Sequence, residues 1–207
     1  MKIPVTINNE TFNLDDKQVA ILKKALGINQ RKLSDVPVGE TFKLGDMEFI
    51  VLEHKGNETV AILKNFWKTG KFDDKTNNYT NSQVRTEMHH KFYNEVVAIC
   101  GKENIADRKV NLIADDGRTE YGNVIDKVSL LTCDEYRKYV YILDKYRLDD
   151  WWWLATPYST SENDYRYAVL YVNCDGTLNY HYCYYDYHRS GGGVRPVLNF
   201  VSSIFVS

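Results

Sequence analysis

The residues best equipped for chemistry gather late in the chain: Cys174, His181, Cys183 and His188 offer thiolate and imidazole ligands within fifteen positions. Their spacing, C-x6-H-x-C-x4-H, matches no common zinc pattern. No metal and no cofactor is expected from it. His89-His90-Lys91 has no third ligand near it in sequence and reads as a solvated helix face. Asp73-Asp74 and Asp115-Asp116-Gly117 lack the alternating oxygen ligands of a calcium loop. Cys100 and Cys133 read as small buried hydrophobes. The four cysteines have no spacing that suggests a disulfide framework.

What surrounds Cys174 to His188 is more informative than the ligands themselves. From Asn163 to Ser190 the chain reads NDYRYAVLYVNCDGTLNYHYCYYDYHRS, with no Lys, Glu, Gln, Met or Trp. Those five types make up roughly a fifth of ordinary composition, so their joint absence from such a window is about a one-in-several-hundred event. Codons ending in a pyrimidine can encode every residue present and none of the five absent. Randomising the first two bases of Asn codons would leave this signature. Tyr supplies rigid amphipathic contact area at low entropy cost, and Ser, Asn and Asp supply adaptable hydrogen bonds, the mixture used by antibody-like surfaces.

The elements that must hold this stretch can be placed from local patterns. Tyr167 to Asn173 alternates, sending Ala168, Leu170 and Val172 to one face, read as core, and Tyr167, Val169, Tyr171 and Asn173 to the other, read as display. Asp175-Gly176 signals a hairpin into Leu178 to Cys183. Tyr184 to Gly192 has no aliphatic residue and reads as an exposed loop before a returning strand, Val194 to Phe200. The block Trp151-Trp152-Trp153 reads as core because Trp buries so much area. Earlier, ETFKLGDMEFIVLEHKGNETVAILKNF implies a three-stranded meander with turns at Gly45-Asp46 and Gly56-Asn57. A helix capped by Asn81 or Ser82 should run to Cys100 on Val84, Met88, Phe92, Val96 and Ile99. A second should open at the Thr132-x-x-Glu135 capping box and bury Tyr136, Tyr139 and Val140. Gly101 to Asn123 is expected to be a polar loop.

Residues 3 to 13 read as a hairpin about Asn8-Asn9, followed by a helix capped by Asp15 or Asp16 with Val19, Leu22, Ala25 and Leu26 on one stripe, ended by Gly27. Asn29 to Asp35 looks like a linker. Residues 1–30 are then either a separate attachment or assembly element, for instance to a virion, or a first layer packed on the main domain of 36–207. With 207 residues, 43% of them hydrophobic, the chain can build a substantial core, and a net charge of −2 gives no footprint for nucleic acid or anionic lipid. No run reaches transmembrane length, and MKIPVTINNETF lacks the apolar region of a signal peptide, so cytoplasmic synthesis is expected.

Six motifs carry a resemblance. G-x-x-F-x-L-G (Gly39 to Gly45), S-x-V-R (Ser82 to Arg85), LL-T-x-x-E-Y (Leu130 to Tyr136), WWL-x-x-P (Trp152 to Pro157), YVN-x-DG-x-L (Tyr171 to Leu178) and GVRPVL (Gly193 to Leu198) occur in that order. This resembles the variable proteins of diversity-generating retroelements, whose domain has the C-type lectin fold of the formylglycine-generating-enzyme type. The resemblance spans about residues 36 to 200. Members often carry Arg-Ser before the proline, where this chain has Ala155-Thr156. The resemblance implies an α+β fold with antiparallel sheets and two main helices, a structural Arg195, and a diversified region, 158–192, that binds a protein or glycan on a cell surface without catalysis. Tyr165, Tyr180, Tyr182 and Tyr184 would be aromatic anchors. Asn163, Asp164, Arg166, Asp186, His188 and Arg189 would set polar specificity. Tyr158, Ser159, Tyr167, Tyr171, Asn173, Asn179, His181, Tyr185, Tyr187 and Ser190 complete the expected surface. Two rivals remain: an oxidising enzyme using Cys174 or Cys183, and an unvaried glycan-binding module.

Overall fold

The computed structural model describes residues 2–7, 9–26, 30–185 and 192–207. Its first element is a hairpin of β1 (Ile3–Ile7) and β2 (Glu10–Leu14), paired only with each other among the described residues, then α1 (Asp16–Ala25). Asp15 and Gln18 exchange side-chain and backbone hydrogen bonds at 2.8 and 3.0 Å, a capping box that opens the helix. The expected stripe on α1 is only partly covered: Val19 and Leu22 are half-buried and Leu26 is exposed. Asn8, Gly27, Ile28 and Asn29 lie outside the described residues.

The expected linker is an anchor instead. β3 (Arg31–Lys32) pairs with β17 (Phe205–Val206), and Leu33 is fully buried in the core immediately after it. Its backbone N–H bonds the Ile204 carbonyl at 2.8 Å. One apolar residue in the right place outweighs a polar neighbourhood.

The meander forms as expected. β4 (Thr41–Leu44), β5 (Met47–Lys55) and β6 (Glu58–Leu63) are antiparallel neighbours, and the sheet continues through β16 (Val197–Val201) to β11 (Val128–Ser129), with β8 (Ile105–Ala106) also pairing β16. Both faces of this sheet are covered: Phe49 and Val51 enter one apolar cluster while Ile50 and Leu52 enter another. The helix over the first cluster runs as α2 (Gln83–Glu87), one π turn (Met88–Phe92) and α3 (Tyr93–Cys100). Val84, Met88, Phe92 and Val96 step by four, and each step drifts about 40° from an α-helical stripe. The wider π turn absorbs that drift and keeps all four in the core. Ile99, expected on the same stripe, is exposed.

The expected polar loop after this helix carries structure. β9 (Arg108–Asn111) pairs with β10 (Asn123–Asp126), and Arg108 is buried, donating to Ser129 Oγ at 2.7 Å and to Glu135 Oε1 at 2.6 Å. α4 (Cys133–Leu143) opens at the expected capping box and packs Tyr136, Tyr139 and Leu143 on the second cluster.

The other main sheet runs β14 (Leu178–Tyr182), β13 (Ala168–Val172), β12 (Trp152–Pro157), β15 (Gly193–Val194), β7 (Lys68–Thr69). Trp152 and Trp153 are core, on opposite faces of β12. β15 and β16 are separated by Arg195-Pro196, so the returning strand is two strands. Arg195 is buried, as expected of a structural residue: Nε donates to the Leu63 carbonyl at 2.8 Å and Nη2 to the Lys64 carbonyl at 2.9 Å. Its burial lowers the guanidinium pKa to about 10. A Cβ on Gly193 would collide with the Phe66 ring, which explains a glycine at this crossing. The fold is thus α+β, mostly strands with a few helices and, among the described residues, no closed barrel.

Candidate ligand-binding surface

β14 ends its sheet, so its outer backbone edge has no strand partner among the described residues. The β13–β14 hairpin pairs Leu170 with Tyr180 and Val169 with His181, and it turns through Asp175-Gly176, where Gly176 has φ +86. The Asp175 carboxylate accepts from the Thr177 backbone N–H and hydroxyl at 2.9 and 2.6 Å, and these bonds hold it below the usual carboxylate range. The expected split of β13 into a core face and a display face does not hold. Val169, on the display side, is fully buried, and Tyr167 and Tyr171 are half-buried against the first cluster. The reason is coverage: the strand sits inside its sheet with apolar layers on both sides.

Aromatic rings therefore collect in two groups flanking the hairpin. On the side of Leu170, Tyr180 lies 4.3 Å from Tyr158 and 5.9 Å from Tyr165 between ring centroids. On the side of Val169, His181 is stacked 3.4 Å from Tyr185 and 5.8 Å from Trp151, with Tyr171 beside Trp151 at 4.7 Å. Burial among these rings lowers the His181 pKa. Beyond the strand end, Tyr182 and Tyr184 stack in parallel at 5.5 Å, and Tyr184 meets Tyr167 edge-on at 6.2 Å. The Arg166 guanidinium lies 5.1 Å from the Tyr167 ring centroid.

Tyr165, Tyr180, Tyr182 and Tyr184 remain 42, 37, 43 and 46% exposed. Asp164, Arg166 and Asn179 are exposed, while Asn163 and Asn173 are half-buried. Ser159 does not join this surface: it is 1% exposed, donates to Asp116 Oδ2 at 2.6 Å, and its carbonyl accepts from Asn77 at 2.6 Å. Cys183 is likewise inside, with its carbonyl accepting the backbone N–H groups of Phe72 and Asp73, each at 3.0 Å. It belongs to the scaffold rather than to the exposed set. Asp186, Tyr187, His188, Arg189 and Ser190 fall outside the described residues.

Two side chains have a role the sequence did not reveal. Cys183 N–H bonds back to Tyr167, so in this antiparallel pairing the N–H groups of Tyr180 and Tyr182 face the free edge. The first donates to Asn179 Oδ1 at 2.8 Å and the second to His181 Nδ1 at 3.0 Å. The edge is shielded by its own side chains, which protects it from pairing with another strand. Asn77 was also missed. Fully buried, it donates to the carbonyls of Ser159 and Ala168, tying both ends of the 159–168 loop, and accepts from Tyr121 at 2.8 Å. A buried Asn has no periodic sequence signature.

The candidate chemistry lies elsewhere. Burial pushes the Cys183 thiol up to about 12 and those of Cys100 and Cys133 up to about 11. Cys174 is exposed at the hairpin turn. Among the described residues no three His, Cys, Asp or Glu are arranged to hold a metal ion. Asp73 instead caps backbone, accepting from Lys75, Thr76 and Gln83 at 2.7–3.0 Å. His90 is solvated as expected, but His89 is not: its Nε2 lies 3.4 Å from Asp126 Oδ1. Burial alone would raise the Asp126 carboxyl, yet His89 and the twofold contact from Arg85 hold it below its ordinary range. Among the described residues no helix is long and apolar enough to cross a membrane.

The chain belongs to the family described as a domain of unknown function, DUF6273, which matches residues 57–202. No curated protein and no solved structure matches it.

Proposed function

We propose that this member of the DUF6273 family is a ligand-binding, receptor-recognising protein: a C-type lectin scaffold of the formylglycine-generating-enzyme type whose Tyr-rich C-terminal surface is varied by a diversity-generating retroelement. One observation carries the reading. Four large tyrosines stay more than a third exposed around a single hairpin whose backbone is fixed from beneath by Asn77, Cys183 and the core faces of β13. Exposed aromatic anchors on a rigid support suit noncovalent capture, because few side chains carry most of the energy of an interface. The ligand class is a protein or glycan on a cell surface, and residues 1–30 serve attachment or assembly.

The oxidising-enzyme alternative draws less support. A reactive thiol needs a depressed pKa, and the Cys183 thiol is buried and raised. That leaves Cys174 as the thiol such an enzyme would have to use. The unvaried glycan-binding module differs only in whether its tyrosines are fixed.

The gene tests the diversification reading. Adjacent DNA should hold a reverse-transcriptase gene and a near-copy of the 3' end of this gene. The codons of Arg166 and Arg189 should end in a pyrimidine. Purines at both third positions, with no near-copy, would overturn it.

A further inference from the structure

A cleft of about 160 Å³ opens beside the first aromatic group, floored by Leu170 and Leu178 and walled by Tyr158 and Tyr180. Its rim is Arg137 from α4 and Asp115 from the loop after β9, with Nη2 and Oδ1 at 3.4 Å. Both lie outside the stretch depleted of Lys and Glu. The same two side chains line a second cleft of about 210 Å³ with Asn111, Ile113, Thr132 and Cys133. The pair thus stands between two clefts, and only the first carries aromatic rings.

The chemistry of this groove narrows its occupant. Aliphatic floor and ring faces favour a ligand with an apolar C–H face, because the electron-rich face of an aromatic ring attracts weakly positive hydrogens. A guanidinium beside a carboxylate offers donors and acceptors side by side, as neighbouring hydroxyls require. Arg137 is 56% exposed and also pairs with Asp134 at 3.2 Å just outside the groove, so two carboxylates flank one guanidinium and these three side chains carry a net charge of about −1. A strongly anionic ligand would meet two like charges, Asp115 and Asp134. A neutral polyhydroxylated ring meets no such penalty and can use donor and acceptor together.

We propose that this groove is a metal-independent subsite for a neutral pyranose, free or terminal on a glycan, anchored by Arg137 and Asp115 and stacked on Tyr180. The subsite rests on the binding-protein reading and adds to it a polar anchor, Arg137 and Asp115, supplied by the scaffold outside the varied stretch, while the stacking ring belongs to the tyrosine surface itself. The remainder of that surface then selects what the sugar is attached to.

The test is saturation-transfer and chemical-shift NMR on the full chain with methyl glycosides of glucose, mannose, galactose and N-acetylglucosamine, and with glucuronic acid, with and without EDTA. At least one neutral sugar should bind, unaffected by EDTA and better than glucuronic acid. Arg137→Met, Asp115→Asn and Tyr180→Ser should each weaken it about tenfold or more, whereas Tyr184→Ser should leave it unchanged. Amide spectra of each variant confirm folding, and Asp115→Asn alone suffices if Arg137→Met does not fold. No neutral-sugar binding, EDTA-sensitive binding, or equal binding by Arg137→Met and Asp115→Asn overturns the subsite. None of those results touches the broader reading, which falls separately if exchanging residues 158–190 leaves capture of cell-surface proteins unaltered.

Discussion

The hairpins β5–β6 and β13–β14 share antiparallel pairing and tight glycine turns, but they solve different problems. In β5–β6 successive residues on both faces are buried: Phe49, Ile50 and Val51 pair with Leu63, Ile62 and Ala61 across the ladder, and Leu52 is buried at the register shift that follows. In β13–β14 only the inner strand is built this way. Its partner, β14, presents Tyr180 and Tyr182 to solvent and keeps only the following Cys183 in the core. Where a strand has an apolar layer on both sides, side chains are chosen by packing. At the edge, one strand further out, they are free to be chosen by what they contact.

The comparison is broken most severely by truncating the inner side. Trp152→Ala should cost roughly 3–5 kcal/mol, since the ring packs between Tyr136 and Arg195 and no neighbour can fill the space. Denaturant melts would check this, and a loss near that of a surface site would mean β12 is not core.

Asp126→Asn should follow at about 3 kcal/mol at pH 7, because it leaves Arg85 without its buried partner. The sign of its pH dependence follows from a carboxyl held low in the folded state. Its contribution is present above the ordinary Asp pKa and is lost as pH falls through the lowered one. Melts at pH 7 and pH 3 should therefore show a smaller acid-induced loss in the variant than in the parent. Equal losses would show that Asp126 does not anchor β10 to α2.

The smallest effects belong to the edge. Tyr182→Ser and Tyr184→Ser should each shift stability by about half a kcal/mol, as at surface sites, measured by the same melts. Losses comparable to Trp152→Ala would place these rings in the core.

How much of this was legible depended on whether neighbours or periodicity decided the outcome. The meander, the capping box at Thr132 and the core tryptophans follow from local pattern, and the structure agrees. Arg195 was readable as structural only through the resemblance, and its carbonyl partners, Leu63 at the end of β6 and Lys64 just after it, lie more than 130 residues earlier. The display face of β13 was misjudged because alternation reports polarity, and Tyr is compatible with both an interior and a surface. Leu33 and Arg108 show the converse, single residues drawn into the core from polar segments by pairings that sequence spacing does not encode. The binding surface was legible as composition. Its division into two ring groups and its shielded edge were not, since both depend on which strand lies outermost.

The most direct measurement exchanges residues 158–190 for the same segment of a sibling variant and compares parent and chimera against a panel of surface glycans and envelope proteins. The warrant is that aromatic and arginine anchors dominate partner choice while Ala168, Leu170 and Val172 keep the strand in register. The account predicts a changed set of bound ligands with an unchanged circular dichroism spectrum and melting midpoint. Identical binding by a folded chimera would contradict it and put the site elsewhere on the molecule.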